Sequence, residues 1–316
     1  MDFYRLNLLL SLFTTHLIMK EIDLVRDLAH IAVNNGRPEP LKEATYRLAM
    51  AAYFRLHSAP PEARYHVNGQ IIPDLIAGKK RSLAEDAVLL LSFLKSPAIV
   101  LCSENIPPAG PLLITPNHYS HGPYHGLWKD LRVAVSVESS RGEDMKFILQ
   151  DSLTNRFTNK RIKITREFFE ALSKTYGVIL VPPPDVHTSD GEVVGFGSAR
   201  NMIESFKNGE AVGLYPEVRN STKLKTGHAL AGRVADAFYR TTNGEGQILP
   251  VGVFKSGIHF GEPYFVSDMQ RFFVRSRDPD IKWGNHKDAA NYMMSKVNQL
   301  VPEKLRNPIL TEIAHR

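Results

Sequence analysis

Three histidines follow one short apolar run, and histidine is the side chain best suited to acid–base chemistry near neutral pH. The run 112–115 is followed by Pro116 and Asn117, and then by His118, His121 and His125. A general base needs a fixed position, and the ordinary imidazole pKa lies near 6.5. Because His118 stands where a predicted strand passes into a loop, we expect its ring to face a substrate. The alternative is that the ring only holds the turn through hydrogen bonds to the backbone.

A second group of polar side chains follows the apolar run 211–215. Glu217 comes directly after this predicted strand, and Arg219, Lys223 and Lys225 follow it closely. A carboxylate can accept hydrogen bonds from a substrate hydroxyl, and the cations can bind phosphate. The alternative is a solvated loop with ordinary surface ion pairs.

The elements that must position these groups alternate between strands and helices from about residue 97 onward. Short apolar runs lie at 98–101, 112–115, 133–137, 177–181, 211–215 and 248–253, with helical spacing in 165–176 and 197–209. This alternation predicts an α/β fold with a mixed, mostly parallel sheet flanked by helices. In such sheets, ligands bind at the carboxyl ends of the strands. Residues 285–301 are predicted to form a C-terminal helix.

The first part of the chain differs, because residues 21–33, 41–56 and 81–96 all have helical character. We therefore predict an N-terminal helical region over 1–92 and an α/β domain over 93–316. Ser82 precedes Glu85 by three residues, which is typical of a helix capping box. The apolar segment 3–19 is too short and too polar to span a membrane. We interpret it as a buried or capping helix, with a helix lying in a membrane interface as the alternative.

Composition restricts the partners. The 316 residues carry a net charge of +6, which suits membrane headgroups, phosphorylated substrates or coenzyme A. Nucleic acid is not expected, because no dense Lys/Arg stripe with interleaved aromatic residues is present. The single cysteine, Cys102, permits neither an internal disulfide nor a cysteine-based metal site. It fits a reducing compartment, and we predict a cytoplasmic protein without a metal.

Four sequence blocks, taken in order, resemble the glycerolipid acyltransferase family, which includes lysophosphatidate acyltransferases. They are "ENIPPAGPLLITPNHYS", "YGVILV", "VGLYPEVRNSTKLKTGHALAGRVA" and "ILPVGV", and the resemblance covers about residues 97–265. The family has an aspartate five residues after its histidine, where this chain has Pro123. It has a phosphate-binding arginine where this chain has Pro182 and Pro183, and Arg219 comes one place early.

The resemblance implies an acyltransferase of phospholipid biosynthesis that is peripherally associated with a membrane. It would move a fatty acyl group from acyl-coenzyme A or acyl carrier protein to the hydroxyl of a lipid acceptor such as a lysophospholipid. Acyl-coenzyme A and acyl carrier protein would be acyl-donor substrates, and no cofactor is implied. His118 would be the general base. The residues expected to contact the substrates are Asn117, Ser120, Glu217, Arg219, Lys223 and Lys225.

Two alternatives accompany this interpretation. His125 and Asp130 have the family's histidine–aspartate spacing, but a helix that begins near Pro123 would place their side chains about 140° apart. His118 is therefore preferred, and His121 is assigned to the turn. The competing function is a non-catalytic member of the same fold that binds lipid or acyl-coenzyme A. A hydrolase is disfavoured because no Gly-x-Ser-x-Gly elbow is present.

Overall fold

A sheet with eight strands in the described part of the chain organises the fold, and His118 follows one of its central strands. The computed structural model describes residues 60–94, 98–119, 126–151, 163–182, 196–217, 223–273 and 285–314. The strands are β1 (Ile99–Leu101), β2 (Leu112–Pro116), β3 (Lys146–Gln150), β4 (Ile179–Val181), β5 (Ala211–Gly213), β6 (Gln247–Phe254), β7 (Gly257–Phe260) and β8 (Tyr264–Phe265).

The spatial order of the strands is β1-β7-β6-β2-β5-β3-β4, and β8 also pairs with β6. Strand β2 runs parallel to both of its neighbours, β6 and β5. Only the pairs that β6 forms with β7 and β8 are antiparallel among the described strands. The predicted mixed, mostly parallel sheet is thus confirmed. The carboxyl ends of β2 and β5 lie side by side as a result.

Helices cover both faces of the sheet. They are α1 (Pro61–His66), α2 (Ile72–Ile76), α3 (Leu83–Ser92), α4 (Gly126–Arg141), α5 (Lys163–Tyr176), α6 (Phe196–Lys207), α7 (Ala229–Thr241), α8 (His286–Leu300) and α9 (Pro308–Ala314). Leu112 and Ile114 point to one hydrophobic cluster, which includes residues of α4 and α8. Leu113 points to the other, which includes residues of α6 and α7. The side chains of β2 alternate between two apolar layers, so this strand is buried on both faces.

One predicted strand was wrong. Residues 133–137 belong to helix α4, in which Val133, Ala134 and Val137 are buried at helical spacing. A run of five apolar residues does not distinguish a strand from one side of a buried helix. The strand of this region is β3, which follows a turn at Gly142 with φ of 70°. The sequence-based prediction also missed β7 and β8.

The helices before the sheet pack directly on α4. Trp128 and Leu131 of α4 join one hydrophobic cluster with residues of α1, α2 and α3. Helix α3 begins as expected, because the hydroxyl of Ser82 accepts a hydrogen bond of 3.1 Å from the backbone N–H of Glu85. The carboxylate of Asp144 caps the same helix from the sheet side through the N–H groups of residues 83 and 84. Division of the chain at residue 92 stays a prediction.

The C-terminal helix is confirmed as α8, which the side chain of Asn285 caps. The helical predictions for 21–33 and 41–56 and the apolar segment 3–19 lie outside the described residues. Within the part of the chain that the structure describes, no helix is both long and apolar enough to cross a bilayer.

Candidate active site

Asn117 closes the end of strand β2. Its side-chain amide donates a hydrogen bond of 2.9 Å to the carbonyl of Val253 and accepts one of 2.6 Å from the N–H of the same residue. Strand β6 continues to Phe254, so it extends beyond the end of β2, and the Asn117 amide satisfies backbone groups that β2 leaves unpaired. Contact between Asn117 and a substrate stays a prediction, and the structure gives its amide a role within the sheet.

Glu217 joins the loop after β5 to the end of β2. Its buried carboxylate accepts a hydrogen bond of 2.9 Å from the backbone N–H of His118 and one of 2.6 Å from that of Lys225. Burial raises the pKa of Glu217, and the two N–H donors oppose this shift. The carboxylate therefore fixes the backbone of His118 at the edge of the sheet. Binding of an acceptor hydroxyl by Glu217 stays a prediction.

Tyr215 connects His118 to helix α4. The ring centroids of His118 and Tyr215 are 4.4 Å apart, and the two rings are inclined by 36°. The Tyr215 hydroxyl donates a hydrogen bond to a carboxylate oxygen of Asp130, in the first turns of α4. Burial raises the pKa of Asp130 to about 7, while the Tyr215 hydrogen bond and the charge of Lys129 act in the opposite direction.

Sequence reasoning did not single out Tyr215, and it gave Asp130 a different partner. The signal for Tyr215 was its place at the end of the run 211–215, two residues before Glu217. A tyrosine there is compatible with simple packing, so its type and position alone indicated no chemistry.

Lys129 is buried beside this group. Its ammonium lies 4.4 Å from the centroid of the Tyr119 ring, and it has no hydrogen-bond partner within the described residues. Burial lowers the pKa of Lys129 to about 8, and the negative charge of Asp130 opposes that shift. The side chains of the next two residues of α4 have different neighbours: Asp130 contacts Tyr215, and Leu131 joins the cluster of α1–α3. The beginning of α4 thus places two ionisable groups near the ends of β2 and β5.

The remaining predicted residues have separate positions. Lys223 and Lys225 are exposed, and Lys225 takes part through its backbone N–H. Four predicted or alternative residues, as well as Pro123, lie outside the described residues: Ser120, His121, His125 and Arg219. The alternative pair of His125 and Asp130 therefore stays a prediction. Within the residues described, no cluster of three histidine, cysteine, aspartate or glutamate side chains is arranged to bind a metal.

The chemistry available here is proton transfer. An imidazole stands at the carboxyl ends of two parallel strands, with its backbone fixed by Glu217 and its ring in contact with Tyr215. Neutral imidazole accepts a proton from a hydroxyl group, and imidazolium returns it to a leaving group. The contacts of Tyr215 link that imidazole to a second titratable group, Asp130.

Comparisons with known proteins give limited information. No protein-family model matches the chain, and no curated protein matches it. Among solved structures, it is similar to the 1-acyl-sn-glycerophosphate (LPA) acyltransferase PlsC from Thermotoga maritima, with 17% sequence identity and a TM-score of 0.41. The match covers 69% of this chain and 78% of that one. A likeness of this extent does not establish membership of a family, so the functional argument rests on the residues.

Proposed function

We propose that the protein is an acyltransferase that moves a fatty acyl group from a thioester to the hydroxyl of a lipid acceptor, with His118 as the general base. One observation carries this proposal: Glu217 and His118, 99 residues apart in the chain, are hydrogen-bonded at the edge of the sheet. They belong to the two sequence blocks in which the acyltransferase resemblance is most distinctive. Their meeting at the strand ends is the arrangement that a shared active site requires.

The proposed reaction uses His118 twice. The neutral imidazole removes the proton from the acceptor hydroxyl as its oxygen attacks the thioester carbonyl, which forms a tetrahedral intermediate. The intermediate collapses with cleavage of the C–S bond, and the imidazolium gives its proton to the departing thiolate. An ester and a free thiol result, and His118 returns to its neutral form. The acyl donor is coenzyme A or acyl carrier protein, and the acceptor is a lysophospholipid or a related lipid alcohol.

The test compares His118→Ala with a matched histidine variant. His259→Asn is the control, since His259 lies in β7 and its ring contacts the carbonyl of Leu300. Purified proteins are incubated with labelled acyl-coenzyme A or acyl carrier protein and a panel of lysolipids. We expect His118→Ala to lose about 10²- to 10⁴-fold in transfer rate, the usual contribution of a general base, and the control to keep its rate. Undiminished transfer in a folded His118→Ala protein refutes the proposal.

A second function is supported by the contacts of Glu217. Both of its oxygens accept hydrogen bonds from the backbone, which is the behaviour of a structural residue. A non-catalytic protein of this fold would bind acyl-coenzyme A or lipid without turnover. Isothermal titration calorimetry beside the same assay separates the two: saturable binding of acyl-coenzyme A with no acyl transfer to any acceptor favours the second function.

Peripheral membrane association is part of the proposal, because acceptors with acyl chains partition into bilayers. Liposome flotation of the full chain tests it, and deletion of residues 1–20 tests the apolar N-terminal segment. We expect the full chain to float with anionic liposomes and the deletion to float less. Equal flotation of both refutes an anchoring role for that segment, and failure of the full chain to float refutes membrane association.

A further inference from the structure

A carboxylate is connected to His118 through the side chain of Tyr215, although the chain lacks an acidic residue five positions after this histidine. Asp130 lies 12 residues beyond His118, on helix α4. Val133, Ala134 and Val137 of the same helix pack in the hydrophobic cluster of β2, so α4 turns the side that carries Asp130 toward the sheet. Strand β5 ends beside β2 and supplies Tyr215, which contacts Asp130 with its hydroxyl and His118 with its ring.

We propose that Tyr215 and Asp130 act together as positioning residues for His118, in place of an aspartate five residues after the histidine. This inference rests on the proposed function, in which His118 is the base. Neither residue takes the substrate proton. Tyr215 holds the imidazole by ring contact, and Asp130 acts on the imidazole through Tyr215.

The contacts account for both tasks of such a carboxylate, which are to orient the imidazole and to stabilise the imidazolium. The ring of Tyr215 lies within 4.4 Å of the His118 ring and limits its rotation. A cation over an aromatic face is stabilised by the electron density of the ring. A phenol that donates a hydrogen bond to a carboxylate is richer in electrons than a free phenol. The imidazolium is thus stabilised by the hydroxyl–carboxylate bond although Asp130 does not need to touch it.

Other charged groups surround this arrangement and limit its strength. Lys129 neighbours Asp130 on α4 and opposes the negative charge, while Glu217 holds the backbone of His118. Asp130→Asn also removes the negative charge that raises the pKa of Lys129, so Tyr215→Phe, which leaves both charged residues unchanged, is the variant that isolates the Tyr215–Asp130 link.

The experiment measures the titration of His118 without requiring turnover. Diethyl pyrocarbonate reacts with neutral imidazole, so its residue-resolved rate at His118, followed by mass spectrometry between pH 5 and 8.5, gives the midpoint of that side chain. We compare the full-length protein with Tyr215→Phe and Asp130→Asn. Tyr215→Phe keeps the ring and removes the hydroxyl, and Asp130→Asn keeps the acceptor oxygen and removes the charge. Tyr65→Phe is the control, because Tyr65 is 77% exposed on α1.

We expect the midpoint of His118 to fall in either variant, by less than the roughly half a pH unit that a whole cation–π contact of ordinary strength corresponds to, because an aromatic ring stays beside His118 in both. Because the two residues act in series, the double variant should shift no further than each single one. The control should titrate like the wild type. Unchanged midpoints in Tyr215→Phe and Asp130→Asn, or additive shifts in the double variant, overturn the inference.

Failure of the inference and failure of the proposed function give different results. If the wild-type protein transfers no acyl group to any acceptor, the function fails, while the titration of His118 still decides whether Tyr215 and Asp130 act on it. If acyl transfer is found, both variants should lower kcat with little change in KM, because the interaction acts on the imidazolium formed during the reaction. Normal kcat in both variants, with normal midpoints, leaves the function intact and removes this inference.

Discussion

Replacement of Asp130 by asparagine should make the protein more stable and less active. Asparagine has the same shape, and its carbonyl oxygen can still accept the hydrogen bond from Tyr215. What it lacks is an ionisable group. Burial raises the pKa of Asp130 from 3.8 to about 7, so the folded protein holds this proton more tightly than the unfolded chain does. Wild-type stability therefore falls as the pH rises from about 4 through 7, because the carboxylate ionises earlier in the unfolded chain.

The size of the stability change follows from the pH range over which Asp130 is protonated in the folded protein but ionised in the unfolded chain. A pKa difference of one unit corresponds to about 1.4 kcal/mol, and about two pH units of this range lie between pH 5 and 7. We expect the difference in unfolding free energy between Asp130→Asn and the wild type to widen by about 2 to 3 kcal/mol from pH 5 to pH 8. Urea unfolding at several pH values between 5 and 8 measures it, with circular dichroism as the signal.

A second variant checks the cause. In Tyr215→Phe the hydrogen bond that favours the ionised carboxylate is absent, so the fall in stability should extend to higher pH than in the wild type. The reasoning is refuted if the difference between Asp130→Asn and the wild type stays constant or narrows as the pH rises. A variant that is more stable but slower in acyl transfer would show that Asp130 is retained for function at the expense of stability.

Three further changes have expected outcomes. Burial lowers the pKa of Lys129 to about 8, so the stability of the wild-type protein should rise as the pH increases from 8 toward 10.5. Lys129→Met should abolish this rise and increase the unfolding free energy at pH 7 by about 2 kcal/mol, as measured by urea unfolding. A Cβ on Gly232 would lie 1.9 Å from the carbonyl oxygen of His286, so Gly232→Ala should lower the stability measured by thermal unfolding by about 3 kcal/mol or more. Gly69→Ala is the control: a Cβ added there meets no neighbouring atom within 4 Å, so the stability should change by no more than about 0.5 kcal/mol. Glu217→Gln offers one acceptor oxygen to two backbone donors, so it should lose about 1 to 3 kcal/mol and speed hydrogen exchange of the His118 amide; unchanged exchange would contradict the role of Glu217.

The sequence was informative wherever the pattern was local. Strand β2 and its exit into Asn117 and His118 could be predicted, because an apolar run followed by turn residues depends on neighbours in the chain. Residues 133–137 were misassigned because a stretch of five mostly apolar residues fits a buried strand as well as it fits a buried helix. The role of the Asn117 amide was also hidden, since its partner Val253 lies 136 residues further along the chain.

The Tyr215–Asp130 contact joins residues 85 positions apart and had no local signal. Only the packing of α4 beside β5 brings the two side chains together, so the sequence order of the residues gave no indication of it. The His125–Asp130 spacing indicated Asp130 for a different reason, namely its distance from another histidine. The structure keeps Asp130 near the site and gives it Tyr215 as partner.

The position of Asp130 matters because Pro123, five residues after His118, cannot act as a carboxylate. A carboxylate that positions a catalytic histidine acts through its place in space, and it need not lie near that histidine in the sequence. Here the carboxylate lies further along, on helix α4, where burial raises its pKa and makes its ionised form costly for folding, while the charge of Lys129 beside it opposes that shift. A protein that only bound lipid would gain stability by replacing it with a neutral residue. Under the proposed function, this cost has a purpose, because Asp130 is bonded to the tyrosine that contacts His118.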